Sequence, residues 1–300
     1  MIGLAAPEAV AQACNCSRNI ALPSGTVSRP GEFIVGVDYG VGLSGDTEAW
    51  RGLSVTDRYG DSMAGMYMPP HVVQSGTART SVGLPKGFAL SATVPYILTQ
   101  HVHPSGMPGD VDSQAFGDVG TTGSWSRVTK DMATSYGGSL GLTIPTGLVV
   151  ADSPVRSGRG TFGTTVGLVA GHKLTPKVAV AGSVNGGGGF GADMSGYRVG
   201  PGATGAAGIR WSPRENGRVG LAAYGALVWQ GRDRQDALVY KNTGFFSTDV
   251  AAGVGWMLWQ QELRSLSLSA RLQAPVWQVI GDPMYAENVS GALGISVVAL

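Results

Sequence analysis

Residues 33–43 read FIVGVDYGVGL, and every second residue of this stretch is apolar. The positions between the apolar residues hold Gly36, Asp38, Gly40 and Gly42. A period of two residues is typical of a β-strand that has two different faces. In a water-soluble antiparallel sheet the second face normally carries charged side chains, whereas here it is mostly glycine. The stretch therefore predicts a strand whose second face lines a confined space rather than bulk water.

The same alternation recurs along the chain and predicts twelve strands, an even number. The strong repeats cover residues 33–43, 88–98, 136–144, 162–168, 219–229, 248–258, 266–276 and 289–299. Weaker repeats cover residues 76–84, 117–127, 178–184 and 203–211. No segment shows the period of about 3.6 residues that an amphipathic helix needs. Segments of about ten alternating residues between turns are the sequence signal of a transmembrane β-barrel.

Composition excludes several other classes of protein. Glycine accounts for 48 of the 300 residues and charged residues for only 14%, against about 7% and about 25% in soluble proteins. No apolar run approaches the roughly 20 residues that a membrane-spanning helix needs. Hydrophobic residues make up 43% of the chain, which excludes a disordered protein. A net charge of +1 and the lack of a basic stretch exclude nucleic acid as a partner.

Long and short connections alternate between the predicted strands. Outer-membrane barrels have short periplasmic turns and longer extracellular loops, whereas a β-sandwich has no reason to follow this alternation. If both termini lie in the periplasm, every short connection falls on the periplasmic side. The predicted fold is all-β: a single closed up-and-down antiparallel transmembrane β-barrel of about twelve strands, over residues 33–300, in the bacterial outer membrane. A soluble sandwich or a soluble closed barrel is the alternative.

Aromatic residues cluster near the two ends of the predicted strands. Near the periplasmic ends lie Phe33, Phe88, Tyr136, Trp211 and Trp256, and near the outer ends lie Tyr96, Phe162, Trp229 and Trp277. Aromatic girdles at both interfaces are typical of membrane barrels. The alternative is that aromatic residues flank strands in any sheet. The pattern favours two interfaces with a bilayer.

Residues 1–13 read MIGLAAPEAVAQA, and we interpret them as the end of a signal peptide. Residues 11–13 match an A-x-A cleavage site, which places a mature start at Cys14. A disordered N-terminal extension and a lipoprotein signal at Cys14 are the alternatives. Residues 14–32 form a predicted periplasmic extension. Its two cysteines, Cys14 and Cys16, point to opposite faces of an extended backbone, so they make a poor disulfide.

Methionine and histidine residues are concentrated in the first two predicted outer loops. They are Met63, Met66, Met68 and His71 in the first loop and His101, His103 and Met107 in the second. Thioether and imidazole ligands together suit Cu(I), a soft cation, so this group is a candidate metal site with copper as its candidate cofactor. The alternative is that the methionines fill gaps in loops packed into the barrel mouth. Cys14 and Cys16 are also of metal-binding type, but they lie on the opposite, periplasmic side.

Two charged residues are expected to line the lumen. A charged side chain that faces lipid at the bilayer midplane costs about 2–4 kcal/mol, so central charges should face inward. Asp38 and Arg271 both lie on the small-residue parity of their strands. They are candidate lumen residues that either pair with each other or set charge selectivity.

No catalytic motif is found, so we expect no enzyme activity. The sequence has no G-x-S-x-G, no H-E-x-x-H and no P-loop. The glycine-rich residues 185–189 precede no helix, so they cannot bind phosphate through helical N–H groups. We expect them to form a flexible outer loop.

Three motifs resemble one family of membrane proteins. They are FGDV at residues 116–119, LGLTIPTG at residues 140–147 and LQAPVWQVIG at residues 272–281. With the glycine-rich last strand, they are similar to the outer-membrane transporter family named for the phenol meta-degradation pathway. The resemblance covers roughly residues 33–300 and implies a Gram-negative outer-membrane barrel that moves small compounds. It carries over no catalytic residues.

Three functions are consistent with these observations. The first is a channel or transporter for small solutes, with hydrophobic or aromatic compounds as one class. Its expected partners are the lipid bilayer of the outer membrane, a small-molecule solute and the barrel-assembly machinery. The second is an outer-membrane protein that binds copper through the loop Met and His residues. The third is a structural barrel or adhesion scaffold, for which the small-residue outer loops offer little binding surface.

Overall fold

The computed structural model of the chain consists almost entirely of β-strands. It describes residues 29–44, 55–57, 71–102, 108–147, 160–191, 197–213, 218–232, 234–235, 238–239, 244–261, 264–280 and 287–299. In chain order the strands are β1 Phe33–Ser44, β2 Val55–Asp57, β3 His71–Gly83, β4 Phe88–Val102, β5 Pro108–Phe116, β6 Val119–Val128, β7 Thr134–Ile144, β8 Phe162–Lys173, β9 Val178–Phe190, β10 Tyr197–Arg198, β11 Gly202–Trp211, β12 Val219–Gln230, β13 Arg234–Gln235, β14 Leu238–Val239, β15 Phe245–Gln261, β16 Arg264–Ile280 and β17 Glu287–Ala299. One 3-10 turn, Pro85–Gly87, joins β3 to β4. Within the described residues, no helix has the length and apolar character needed to cross a bilayer.

The long strands form a closed antiparallel barrel of twelve strands, which confirms the predicted fold. Neighbours in the ring follow the chain order, and the ring closes where β17 pairs with β1. β5 and β6 are two halves of one barrel strand, since both pair with β4. β2 lies outside the ring and pairs in parallel with residues 278–280 of β16. β10, β13 and β14 form a small separate sheet.

The outer face of the barrel is apolar. On β1 the exposed outward residues are Phe33, Val35, Val37, Tyr39 and Val41. Around the ring, Leu140, Leu168, Leu272 and Leu293 are 62–67% exposed. A belt of exposed aliphatic side chains on a closed barrel suits hydrocarbon rather than water. The outer face is therefore the lipid-facing surface.

The buried apolar residues lie inside the barrel. Six of them form one cluster: Ala206, Tyr224, Ala226, Val228, Phe245 and Ala251. These residues belong to three consecutive strands of the ring, β11, β12 and β15. The inner wall is therefore closely packed along this arc.

Two periplasmic turns show how the short connections reverse the chain. Lys86 and Gly87 follow β3 with φ values of 63° and 83°, a region that glycine adopts without steric cost. Between β6 and β7, the Asp131 carboxylate accepts hydrogen bonds from the Thr129 hydroxyl and the Ala133 backbone N–H. These two bonds hold the pKa of the Asp131 carboxyl below its ordinary value.

The two predicted aromatic girdles are present on the outer face. All nine predicted residues are exposed there, by 38–55%. At the periplasmic girdle, the rings of Trp125 and Tyr136 meet edge to face with centroids 5.9 Å apart. The Arg127 guanidinium carbon lies 5.5 Å from the centroid of the Trp125 ring. At the outer girdle, Phe162 stacks on Phe190 at 5.8 Å. The girdles mark the two levels at which the wall meets the membrane interfaces.

The prediction that residues 185–189 form a flexible outer loop is wrong. The whole tract belongs to β9. Gly187 pairs with Thr165 of β8 on one side and with Gly202 of β11 on the other. Glycine is weak in strands, but a neighbour on each side supplies backbone hydrogen bonds that hold the tract extended. The tract is therefore part of the barrel wall.

Several strands also extend further outward than their apolar pattern predicts. His71 and His101, which we expected in outer loops, are strand residues that lie opposite each other in the register of β3 and β4. Apolar alternation ends where the lipid ends, because only lipid requires it. The backbone ladder continues above that level, because its hydrogen bonds do not depend on the side chains.

Candidate functional site

The candidate site is the inner wall of the barrel, which the strand register defines. Residues paired directly across a ladder point to the same face, so the inward positions of one strand locate those of the next. From β7 to β11 the inward residues are mostly glycine, alanine, serine and threonine. Larger polar and charged side chains come from β12, β15, β16, β1 and β3. Apart from Lys173 of β8 and Arg210 of β11, most polar contacts for a solute inside the barrel lie on this second arc.

Asp38 lies on the inner wall, as its parity predicts, and forms an ion pair with Arg79 of the neighbouring strand β3. The Arg79 Nε atom is 3.5 Å from Asp38 Oδ2. Both side chains remain partly exposed, so the pair keeps contact with the interior of the barrel. A Cβ atom at Gly36 would lie 2.6 Å from Arg79 Nε, and one at Gly294 would collide with Asp38 Oδ1. Glycines on adjacent strands therefore provide the room that this ion pair occupies.

A second polar group joins β12, β15 and β16. Asp249 is 2% exposed, and its carboxylate accepts hydrogen bonds from the Ser247 hydroxyl and, at 2.9 Å, from the Gln273 side-chain amide. The Arg271 guanidinium is hydrogen-bonded to the Tyr224 hydroxyl, and Asp249 is close enough to act on that phenol electrostatically. Buried polar groups of this kind are stable because they satisfy one another.

The two predicted lumen residues therefore have separate neighbours. Asp38 contacts Arg79, and Arg271 contacts Tyr224. Both face inward, since Asp38 pairs with inward Gly294 and Arg271 pairs with inward Ala292. Their role in charge selectivity stays a prediction.

The predicted copper ligands fall largely outside the described residues. Met63, Met66, Met68, His103, Met107, Cys14 and Cys16 all lie there. The backbones of His71 and His101 are described, and they are paired across β3 and β4. In the part of the chain that the structure describes, no three His, Cys, Asp or Glu side chains group in a way that could hold a metal. The copper site stays a prediction.

Two of the motifs that carry the family resemblance contact each other at the outer end of the wall. Asp118 is fully buried, and its carboxylate accepts a hydrogen bond of 2.9 Å from the Gly147 backbone N–H. The Thr146 hydroxyl accepts a bond of 2.9 Å from the Val119 N–H and donates one of 3.3 Å to the Gly117 carbonyl. These bonds hold the end of β7 against the break between β5 and β6, which explains the aspartate and threonine in the motifs.

Four polar residues of the inner wall, Arg79, Tyr224, Asp249 and Gln273, are not among the predicted site residues. For two of them, the alternation of inward and outward residues along the strand indicates the inward position. Tyr224 and Asp249 each lie one position away from an outward apolar residue in a strand of regular alternation. Arg79 lies in β3, whose outward face includes glycine, alanine, threonine and glutamine, so the alternation there is too weak to assign a face.

No protein-family model and no curated protein matches the sequence, but solved structures do. An outer-membrane channel from Pseudomonas putida F1 is similar over 93% of this chain and 100% of that chain, with a TM-score of 0.73 and 15% identity. The NanC porin is similar over 88% of this chain and 98% of that chain, with a TM-score of 0.48 and 9% identity. The translocator domain of the autotransporter NalP from Neisseria meningitidis is similar over 90% of this chain and 88% of that chain, with a TM-score of 0.47 and 11% identity.

At 15% identity, the likeness to the Pseudomonas putida channel shows the fold. It agrees with the ring of twelve strands and with the exposed apolar belt on the outer face. The two aromatic girdles bound that belt on the periplasmic and outer sides. The chain is a β-barrel of the bacterial outer membrane.

Proposed function

We propose that the protein is a passive channel that carries small solutes across the outer membrane. Eight strands enclose a space that side chains just fill, and twelve strands enclose a wider one. Over much of the ring the inward residues are small. These features support a channel over a purely structural barrel. The proposal includes no catalytic step.

The observation that carries the proposal is the position of two inward arginines against glycine. A Cβ atom at Gly36 would lie 2.6 Å from Arg79 Nε, and one at Gly220 would lie 2.7 Å from Arg210 Nε. Both distances are shorter than a real Cβ atom tolerates, so these arginines lie along the wall only because a glycine is next to them. Charge is thereby kept at the surface of the lumen while the long side chain stays out of the solute's path.

For the solute class, we propose hydrophobic or aromatic compounds. The support is the resemblance of the FGDV and TIPTG motifs to a transporter family tied to phenol degradation. These motifs lie far apart in the sequence, yet Asp118 and Gly147 are bonded to each other. Their contact supports the resemblance, because it gives the two motifs one shared structural purpose.

Planar-bilayer recording of the purified protein tests the channel, with Gly36→Val as a probe of the lumen. The wild type is expected to give discrete conductance steps. The valine methyl groups would occupy the space of the Arg79 side chain and displace it from the wall. Because packed interiors do not absorb such added volume, we expect single-channel conductance to fall by about twofold or more.

Gly76→Val is the matched control. Gly76 lies on the outward face of the same strand as Arg79, and a Cβ atom there meets no other atom within 4 Å. Its conductance should equal that of the wild type. A silent wild type at high protein occupancy would contradict the channel. Equal losses in both variants would contradict the arrangement of Arg79 along the inner wall.

Copper binding at the outer rim is a second candidate function, and one observation favours it. His71 and His101 are paired directly across β3 and β4, which places their Cα atoms about 4.5–5.5 Å apart. We propose that they belong to a Cu(I) site together with the loop residues Met63, Met66, Met68, His103 and Met107. Thioether and imidazole ligands are the donors that this soft ion prefers.

Titration of Cu(I) against the wild type and the Met63→Leu/Met66→Leu/Met68→Leu variant tests this site. Leucine keeps the apolar volume of methionine and removes the sulfur ligand. The triple variant should bind Cu(I) about tenfold more weakly or worse, since even the loss of a residue that only orients a ligand commonly costs about tenfold. Met132→Leu in the turn between β6 and β7 serves as the control. Equal affinities in all three proteins would exclude copper binding by these methionines.

A further inference from the structure

One ladder of the barrel wall carries three cationic residues on its inward face. In order across β8, β9, β11, β12, β15 and β16, its paired residues are Lys173, Ala179, Arg210, Ala222, Gly253 and Arg271. The ladder then continues through Ala292 of β17 and Gly40 of β1. Every residue between the cations is alanine or glycine. We refer to Lys173, Arg210 and Arg271 as the cationic track.

Two cations of the track, Lys173 and Arg210, have no carboxylate partner among the described residues. The third, Arg271, is hydrogen-bonded to the Tyr224 hydroxyl, on which Asp249 also acts electrostatically. Two inward carboxylates of the described wall have other partners. Asp38 is paired with Arg79, and Asp249 is held by two neutral donors. Lys173 and Arg210 are therefore the main source of positive potential on this arc of the described wall.

The track rises from the periplasmic mouth toward the middle of the wall. Lys173 ends β8 and Arg210 is the last residue but one of β11, whereas Arg271 lies near the centre of β16. Strands of a membrane barrel tilt by about 35–45°, so a ladder perpendicular to them climbs around the lumen. At about 4.8 Å per strand, Lys173 and Arg210 are about 10 Å apart and Arg210 and Arg271 about 14 Å. The wall thus presents one cation at every second or third strand of the climb.

Only small residues separate the cations along the ladder. Ala179 separates Lys173 from Arg210, and Ala222 with Gly253 separates Arg210 from Arg271. No bulky side chain of the ladder stands between neighbouring cations. A lumen lined by one sign of charge within a low-dielectric wall concentrates ions of the opposite sign. An anion could therefore pass from one cation to the next along the wall.

We propose that the cationic track makes the channel selective for anions and that its preferred solutes carry a carboxylate. This inference rests on the proposed channel function and adds the charge class of the solute. Guanidinium groups pair with carboxylates through two parallel hydrogen bonds. Cations about 10–14 Å apart match a singly charged anion rather than a multivalent one. A small aromatic carboxylate such as benzoate satisfies both the track and the proposed aromatic solute class.

Reversal potentials in a KCl gradient test the track on three proteins: the wild type, the Lys173→Gln/Arg210→Gln double variant and an Arg127→Gln control. Ionic strength is kept below about 0.1 M, where the screening length is about 10 Å or longer. The wild type should prefer chloride over potassium, and the double variant should lose about threefold or more of that permeability ratio. Arg127 lies on the outer face beside Trp125, so its variant should keep the wild-type ratio.

Solute influx into liposomes shows which chemical class of solute the channel prefers. The double variant should slow the entry of benzoate and leave the entry of benzamide, a neutral molecule of similar size, unchanged. A wild type that conducts without preferring anions overturns the track and leaves the channel function intact. So does a double variant that equals the wild type in both assays.

If none of the proteins conducts, the channel proposal fails. The track is then tested by calorimetry, which measures benzoate binding to the detergent-solubilised wild type and double variant. Equal binding by the wild type and the double variant then overturns the track. Weaker binding by the double variant supports it as a carboxylate site.

Discussion

Arginine in place of Leu272 is expected to destabilise the folded barrel by about 2–4 kcal/mol, the cost of a charged side chain facing lipid at the bilayer midplane. Leu272 lies near the centre of β16 and is 67% exposed on the outer face. Its neighbour Arg271 is already an arginine, but it faces inward and is hydrogen-bonded to Tyr224. The same residue type is therefore accommodated at one position and excluded at the next. Urea-dependent folding into lipid vesicles measures the free energy of unfolding.

Ser269→Arg is the matched control, three residues from Leu272 on the same strand. Ser269 pairs with inward Gly294, and Asp38 lies across that glycine. Arginine there enters the polar interior near the Asp38 carboxylate and does not face lipid, so the loss of stability should be clearly smaller than at position 272. Equal losses at positions 269 and 272 would contradict the assignment of the two faces.

Alanine at Gly187 is expected to destabilise the barrel by about 1–3 kcal/mol, the usual cost of forcing extra volume into a packed site. Its Cβ atom would collide with the Thr164 carbonyl oxygen and lie 2.8 Å from Thr165 Cγ2. Both threonines belong to β8, which is paired on both sides, so they cannot move without loss of ladder hydrogen bonds. In a flexible loop the same change would have little effect. The measured stability therefore also distinguishes wall from loop.

Gly186→Ala provides the comparison one residue away. The nearest atom to a Cβ at Gly186 is the Gly202 carbonyl oxygen at 3.8 Å, an ordinary contact. Since alanine loses less backbone freedom than glycine on folding, this variant should be unchanged or more stable by up to about 1 kcal/mol. If Gly186→Ala were as destabilising as Gly187→Ala, the specific contact with β8 would not explain the loss.

The strands could be predicted from the sequence because lipid imposes a period of two on the outer face. In β1 every outward residue from Phe33 to Leu43 is apolar, and the same pattern located all twelve barrel strands. The pattern gives no prediction for strand residues that lie beyond the lipid or that have no side chain. The outer ends of β3 and β4, which include His71 and His101, extend beyond the apolar pattern. The glycine tract of β9 has no side chains from which a pattern could be built, so only its paired neighbours reveal it as a strand.

The candidate site was predicted less completely than the fold. Parity placed Asp38 and Arg271 on the inner wall, since each follows the small-residue face of its strand. Parity does not identify the partners of these residues, because Arg79 and Tyr224 come from other strands. The register between two strands cannot be predicted from the sequence of either strand alone. For the same reason the sequence connects FGDV with TIPTG only as motifs, whereas the structure joins them through Asp118 and Gly147.

The sequence by itself determined the fold class, the number of strands, the lipid-facing side of each and the two membrane interfaces. These properties repeat locally, because each residue responds to the solvent that its own face meets. Only the tertiary structure decided which residues meet across strands. The ladder that aligns Lys173, Arg210 and Arg271 forms only when six strands are in register. Its first and last cations are 98 positions apart in the chain. The charge of the lumen is therefore a property of the closed barrel and of no single segment.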